Sequence, residues 1–226
     1  MPSNHGQPGS SPQHPQPESS IRLLLVRHGQ TDWNVQRRYQ GQSDTPLNGT
    51  GKAQAAALAR RLAGDEVHAI YASDLQRAWQ TAQAVGSALG MAVQPEPGLR
   101  EIHFGLWEGK THQEILGQYG EEYADWIANP ECAPPEGESF GQVAARLDTV
   151  LAWLRRDHQD QTVLFVGHGG SITTLICRAL ELPIQMRWKL RLESTSVSEL
   201  TLYDGTAILM RLNDTHHLNG LSKSEG

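Results

Sequence analysis

The chain is organised around one apolar stretch that ends abruptly on charge. Leu23 to Val26 form an uninterrupted aliphatic run with strand character, and Arg27, His28 and Gly29 follow directly. Arginine and histidine are costly to bury at the end of a core strand unless a polar or anionic group meets them. Glycine permits a tight turn or a close backbone approach at that point. Two interpretations are open: a charged strand end that faces water, or an Arg-His phosphate site in which His28 is the reactive group.

A second apolar run ends in the same way. Residues 162–166 are followed by Gly167, His168 and Gly169. A continuous apolar run of this length is typical of a strand inside a parallel sheet. Parallel strands end on the same edge of the sheet, where open α/β sheets usually bind their ligands. We therefore expect His28 and His168 to share one pocket.

Strands alternate with helices of ten or more residues along most of the chain. Residues 67–72 and 91–93 also have strand character, and helical patterns cover residues 50–62, 75–89, 139–156 and 169–180. Asn48 or Thr50 is expected to cap the first of these helices, and Ser73 or Asp74 the second. Residues 196–203 and 207–212 have the pattern of a β-hairpin. The alternation predicts a three-layer α/β/α fold with a mostly parallel central sheet and helices on both faces.

Both ends of the chain lack this alternation. Residues 1–20 are rich in Pro, Ser and Gln, and after Met1 they contain no apolar side chain that could join a core. This composition predicts a disordered tail. Residues 213–226 are mostly polar, which predicts a frayed C-terminal tail. A single domain at residues 21–212 is the simplest organisation.

Charge and composition limit the classes of molecule that the protein is expected to bind. The formal net charge is -6 and the isoelectric point about 5.9, so we expect no general affinity for nucleic acid or an anionic membrane. An anionic ligand would need a local cluster of basic side chains. No apolar run approaches the roughly 20 residues of a membrane-spanning helix, and the N-terminus lacks the apolar core of a signal peptide. The two cysteines, Cys132 and Cys177, favour a reduced, cytoplasmic setting.

Arg77 and Glu101 are two further candidates for the site. Arg77 falls on the first turn of the helix after the second strand. It is either a solvent-exposed helix residue or a second arginine that binds a phosphate together with Arg27. Glu101 lies in a loop beside Phe104 and Trp107. Apolar surroundings would favour the protonated carboxyl that a general acid requires. The alternative is an ordinary loop carboxylate.

Several other chemistries are not supported by the sequence. It contains no Walker-type phosphate loop, no Gly-x-Ser-x-Gly nucleophile elbow and no cysteine-histidine spacing of a zinc site. Aromatic side chains either line an apolar entrance to the pocket or belong to the core: Trp33, Phe104, Trp107, Tyr119, Tyr123 and Trp126.

Three motifs together resemble a known family. The segment 25–31, Leu-Val-Arg-His-Gly-Gln-Thr, with Asn34 after it, resembles the signature of the histidine phosphatase superfamily, also called phosphoglycerate mutase-like. Gly167-His168-Gly169 is similar to its second histidine block, and the segment 73–78 to its second arginine block. The resemblance covers residues 21 to about 212.

The resemblance implies a mechanism and a role for each residue. His28 would attack phosphorus and carry the phosphoryl group, while Arg27, Arg77 and His168 bind the phosphate. Asn34 would add a hydrogen bond, and Glu101 would be the proton donor. The leaving group would lie over the loop at Gln40 and Gly41. The implied substrate is a small phosphate ester, and no metal and no cofactor are implied.

The family contains both mutases and phosphatases. The block from Arg100 to Gly109 resembles that of the small phosphatase branch, which includes broad-specificity and α-ribazole phosphatases, and departs from the Asn-Glu-Arg-His-Tyr-Gly type of the mutases. Gly169-Gly170 also departs from the mutase pattern, His-Gly-Asn. The resemblance therefore implies a histidine acid phosphatase-type phosphomonoesterase. A cofactor-dependent phosphoglycerate mutase and a non-catalytic phospho-ligand binding module are the alternatives. The sequence leaves the substrate, the pathway and a monomer or homodimer open.

Overall fold

The computed structural model describes residues 19–221. One six-stranded sheet runs through it in the order β3-β2-β4-β1-β5-β6. Its strands are β1 (Ile21–Arg27), β2 (Ala69–Ala72), β3 (Val93–Pro95), β4 (Thr162–Gly167), β5 (Val197–Tyr203) and β6 (Thr206–Asp214). The first four are mutually parallel where they pair, and β5 and β6 form an antiparallel hairpin on one side. The prediction of a mostly parallel sheet is confirmed.

Helices cover both faces of the sheet. They are α1 (Asp32–Val35), α2 (Gly49–Leu62), α3 (Gln76–Leu89), α4 (His112–Ala128), α5 (Phe140–Asp157) and α6 (Gly169–Ala179). Side chains alternate along a strand, so Leu24 and Val26 pack with α2 and α3 while Leu23 and Leu25 pack with α5 and α6. This division confirms the three-layer α/β/α arrangement. Within the described residues, no helix is long and apolar enough to cross a membrane.

The predicted capping residue was right for α2 and wrong for α3. Asn48 caps α2 by accepting a hydrogen bond from the amide of Gly51 at 2.9 Å. α3 begins after Leu75, and neither Ser73 nor Asp74 caps it with a side chain. Asp44, from a loop distant in sequence, instead accepts a bond from the Gln76 amide at 2.6 Å. The cap comes from tertiary structure, because the side chains next to the helix have other partners.

The two predicted tails lie mostly outside the described residues. The disordered segment was expected at residues 1–20, of which only Ser19 and Ser20 are described; they bond to Gln159 and Asp160. At the other end the structure differs from the expected frayed tail at residues 213–221. β6 continues to Asp214, and a 3-10 turn follows at His216–Leu218. Residues 222–226 lie outside the description.

Candidate active site

The two histidines at the strand ends come together. β1 and β4 are neighbours, and their last residues, Arg27 and Gly167, are register partners. His28 and His168 are therefore the next residues on two adjacent parallel strands, and the amide of His28 donates to the carbonyl of Gly167 at 3.0 Å. The ring centroids of His28 and His168 lie 5.1 Å apart. The two histidines expected to converge from the matched strand ends thus lie side by side at the carboxyl edge of the sheet.

His28 is held in one tautomer by the turn that follows it. The residue is only 3% exposed. Its Nδ1 lies 2.7 Å from the carbonyl oxygen of Gly29. A carbonyl only accepts, so Nδ1 carries the hydrogen and Nε2 of the neutral ring keeps its lone pair. Burial, and then the positive charges of Arg77 and Arg27, hold the pKa of His28 well below its usual value. His28 is therefore a neutral imidazole with one free nitrogen at neutral pH.

The turn that follows His28 requires glycine at residue 29. A Cβ on Gly29 would lie 2.7 Å from the carbonyl oxygen of Gly51 at the start of α2. The Gly29 amide donates to the hydroxyl of Thr81 at 3.0 Å, and that hydroxyl donates to the carbonyl of Arg77 at 2.7 Å. The close approach of α2 and this pair of bonds fix the turn that orients the His28 ring.

His168 faces the same pocket and is completely buried. Its Nε2 lies 2.8 Å from the hydroxyl of Ser73, and its Nδ1 has no hydrogen-bond partner in the described protein. The Ser73 oxygen also accepts from the amide of Leu75 at 3.3 Å, and its hydroxyl hydrogen is available to Nε2 of His168. In that arrangement Nδ1 of His168 is a donor. Burial, and then the charge of Arg77, hold the pKa of His168 well below its usual value, so the ring is neutral.

Two arginines supply positive charge to the pocket. Arg77 is 0% exposed, and its two terminal nitrogens donate to the carbonyls of Gly41 at 2.6 Å and Ser43 at 2.9 Å. Arg27 donates to the carbonyl of Leu192 at 2.6 Å. The Nε atoms of both arginines are buried and unpartnered within residues 19–221. Burial lowers the pKa of Arg77 to about 10, so it remains a cation at neutral pH.

Glu101 reaches the site in different surroundings from those expected. Its carboxylate accepts backbone N–H bonds from Gly170, Ser171 and its neighbour Ile102, each at 3.0 Å. Gly170 and Ser171 form the first turn of α6, so the carboxylate lies at a helix N-terminus rather than against aromatic rings. Phe104 turns away and packs against other aromatic side chains. The expectation of an apolar neighbourhood for Glu101 was wrong, because the loop places its side chain on amide donors.

Three residues expected to bind substrate are already committed to the local structure. Asn34 Oδ1 accepts from the amide of Thr31 in a capping box, which leaves its Nδ2 for a ligand. Gln40 is 7% exposed and accepts from the hydroxyls of Thr31 and Thr45. The carbonyl of Gly41 binds Arg77. Gln40 and Gly41 thus border the site as parts of a structured loop.

The aromatic side chains mainly form core. Trp107 and Trp126 are 0% and 1% exposed, and their rings pack edge to face with centroids 5.5 Å apart. Phe104, Tyr119 and Tyr123 pack against this core as partly buried residues. Trp33 remains partly exposed, and its ring lies over Gly109. Of the two readings left open, the core interpretation describes most of the set.

Ser73, Thr81 and Glu108 contact the candidate site residues and were not assigned such roles from sequence. Ser73 sets the hydrogen-bond pattern of His168, and Thr81 ties the turn after His28 to Arg77. Ser73 directly follows β2 beside β4, and its amide donates to the carbonyl of Val166 at 3.0 Å. A polar residue at the end of a third parallel strand was the available signal for Ser73. Thr81 and Glu108 carry no comparable local pattern.

Comparison with known proteins identifies the family. The model of the histidine phosphatase superfamily, branch 1, matches residues 23–215. The chain belongs to this superfamily. The match includes all the strand ends and loops described above. Among residues 19–221, no group of three or more His, Cys, Asp or Glu side chains is arranged to hold a metal ion.

Its relatives in the superfamily carry several names. The chain is 32% identical to "Phosphoserine phosphatase 1" of Hydrogenobacter thermophilus over 199 residues, which cover 88% of this chain and 94% of the relative. It is 35% identical to "Probable phosphoglycerate mutase GpmB" of an Enterobacter species over 182 residues, 80% of this chain and 84% of the relative. A solved mycobacterial glucosyl-3-phosphoglycerate phosphatase, in complex with VO3, superposes with a TM-score of 0.80 at 36% identity, covering 86% of this chain and 99% of that one. The chain is thus similar to phosphatases across most of its length.

Proposed function

We propose that the protein is a phosphomonoester hydrolase that acts through a phosphohistidine on His28. One observation carries the proposal: His28 lies beside His168 and near Arg27 and Arg77, and each of these three has a buried nitrogen with no partner in the part of the chain that the structure describes. Each of the three is suited to donate to a phosphate oxygen. Phosphoryl transfer depends on positioning and on donors that stabilise the charge on the equatorial oxygens. The site offers both next to a nucleophile.

In the first half-reaction, Nε2 of His28 attacks phosphorus. A bond forms between nitrogen and phosphorus while the bond from phosphorus to the ester oxygen breaks, and Glu101 in its protonated form gives its hydrogen to that oxygen. The low pKa of His28 keeps the ring unprotonated and therefore nucleophilic at neutral pH. The carbonyl of Gly29 stabilises the positive charge that develops on the ring through its bond to Nδ1.

In the second half-reaction, water replaces the leaving group. The Glu101 carboxylate removes a hydrogen from the water, whose oxygen attacks phosphorus as the bond to His28 breaks, and inorganic phosphate leaves. Glu101 is protonated again, so the cycle closes. The Arg27 and Arg77 cations hold the phosphoryl oxygens throughout, which directs the attacking group in line with the leaving group.

The departures of this chain from the mutase pattern favour a phosphatase over a mutase, and one of them, Gly170, contacts Glu101. Gly170 stands where the mutase pattern has asparagine, and a Cβ at this position would lie 2.5 Å from Glu101 Oε1. Glycine at residue 170 is thus matched to the observed position of the proposed proton donor. A small phosphate ester remains the proposed substrate class, and the names of the phosphatase relatives support it.

The test is phosphate release across sugar phosphates, phosphoglycerates, nucleotides and phospho-amino acids, followed by trapping of the labelled enzyme. We expect turnover of at least one class and an acid-labile phosphoryl label that is absent from His28→Ala. His216→Ala is the matched control, because His216 lies on the exposed C-terminal turn. Full activity of His28→Ala would refute the proposal.

The two alternatives give different results in the same assay. Rapid interconversion of 2- and 3-phosphoglycerate with slow release of phosphate would identify a mutase. Ligand binding with no turnover of any ester would identify a binding module, for which a nucleophile and a proton donor are not needed.

A further inference from the structure

Glu108 is a nearly buried carboxylate that organises the loop at residues 41–43. Its Oε1 accepts from the amides of Gln42 at 2.8 Å and Phe104 at 3.1 Å, and its Oε2 accepts from the amide of Ser43 at 2.9 Å and from the Ser43 hydroxyl. The side chain is 13% exposed. Two loops distant in sequence are therefore fastened to one carboxylate by four donors.

The opposite side of this loop binds Arg77. The amides of Gln42 and Ser43 point towards Glu108, while the carbonyls of Gly41 and Ser43 accept the two terminal nitrogens of Arg77. The carbonyl of Gly41 and the amide of Gln42 belong to one planar peptide unit, so the bond from that amide to Glu108 fixes the direction of the carbonyl that meets Arg77. Glu108 also holds Ser43, whose carbonyl accepts the other terminal nitrogen, through the amide and hydroxyl of that residue.

The loop is shaped for this carboxylate. Gly41 has φ +55°, and a Cβ on it would overlap Glu108 Oε1. Burial lowers the pKa of Arg77, and the negative charges of Glu101, Asp44 and Glu108 oppose that effect. Charge, backbone conformation and hydrogen bonds therefore connect Glu108 to Arg77.

We propose that Glu108 is a positioning residue that acts through the loop at residues 41–43 to aim Arg77 at the phosphoryl group. The loop carbonyls hold both terminal nitrogens of Arg77, and its Nε is buried without a hydrogen-bond partner among residues 19–221. Glu108 does not itself touch the reacting atoms. The inference rests on the proposed phosphatase function, because it assigns a reason for the placement of one phosphate-binding group.

Glu108→Gln is the sharpest substitution. Glutamine has the same shape, but one of its two terminal groups is a donor, so at least one of the backbone amides that Glu108 satisfies would face another N–H. We expect the loop to turn and Arg77 to shift. A displacement on the order of 1 Å reduces kcat/KM by roughly 10- to 100-fold, and the affinity for inorganic phosphate, measured by calorimetry, falls with it.

Glu199→Gln is the matched control. Glu199 is also 13% exposed and accepts two hydrogen bonds from Arg22, but it lies within β5 rather than in the loop at residues 41–43. Its substitution is expected to alter thermal stability without weakening phosphate binding. If Glu108→Gln does not fold, Glu108→Asp replaces it: aspartate keeps all acceptors on a shorter stem, so a smaller loss of phosphate affinity in the same direction is expected.

A double-mutant cycle with Arg77→Ala tests whether Glu108 affects phosphate binding through Arg77. If Glu108 acts through Arg77, Glu108→Gln weakens phosphate binding in the wild-type background and adds little once Arg77 is absent. Phosphate binding by Glu108 variants equal to that of Glu199→Gln, or losses that multiply in the double variant, would overturn the inference. Wild-type protein that neither releases nor binds phosphate would instead overturn the proposed function, and with it the basis of this assignment.

Discussion

Acidification from neutral pH is expected to destabilise the protein through His28 and His168, which are 3% and 0% exposed. Burial, reinforced by nearby arginines, holds the pKa of both rings well below the usual value in the folded state. In the unfolded chain both regain a pKa of about 6.5. Below that pH the unfolded state binds more protons, so the free energy of unfolding falls with pH until the folded-state pKa is reached.

The size of this effect follows from linkage. Each histidine contributes up to about 1.4 kcal/mol per pH unit in that interval, so the pair contributes up to about 2.7 kcal/mol per unit. A domain with a total stability of roughly 5–15 kcal/mol loses a large part of it at such a slope. His217, whose pKa burial lowers to about 4, adds to the same slope, which makes a variant comparison necessary.

Urea unfolding, followed by tryptophan fluorescence at half-unit steps below pH 7, measures the slope. The buffer has to be free of phosphate, because a ligand that binds only the folded state would add to its stability. We expect the His28→Asn/His168→Asn double variant to lose up to about 2.7 kcal/mol per pH unit of slope, and the control His216→Asn to keep it. Equal slopes for the wild type and the double variant would refute the assignment of two buried neutral rings.

Three further predictions concern activity. Ser73→Ala removes the hydroxyl bonded to His168, so kcat/KM should fall by roughly 10-fold or more with a small change in thermal stability; unchanged kinetics would exclude its role in setting the tautomer. Gly170→Asn would displace the Glu101 carboxylate. Hydrolysis should then slow most for esters with poor leaving groups, because these depend most on a proton donor. An equal loss for all esters would contradict the role of Glu101 as acid. Because the pKa of His28 is lowered, the acidic limb of kcat/KM should lie below pH 6.5; a limb at or above that value would show that His28 is not held neutral by its surroundings.

The fold and the central pair of histidines could be predicted from sequence because they depend on local patterns. Apolar runs that end at Arg27-His28-Gly29 and Gly167-His168-Gly169 mark strands, and the intervening helices require parallel pairing. Parallel strands share an edge, so the convergence of the two histidines follows from topology. The register between Arg27 and Gly167 agrees with that reasoning.

The environments of the polar groups around the site were decided by tertiary structure. Asp44 caps α3 although Ser73 and Asp74 stand closer in sequence, since Ser73 bonds to His168 and Asp74 pairs with Arg100. Each of these contacts joins segments whose separation along the chain leaves no periodic trace in the sequence.

Glu101 and Glu108 show the same limit within one loop. Both are acidic side chains among aromatic residues, and although the family resemblance singles out Glu101, neither local sequence shows which backbone amides its carboxylate will meet. In the structure one carboxylate binds the first amides of α6, and the other binds the amides of the loop that holds Arg77. Local sequence determined the strands that carry the nucleophile, whereas the partners of the charged groups around it depend on which backbone amides the folded loops bring within hydrogen-bond distance.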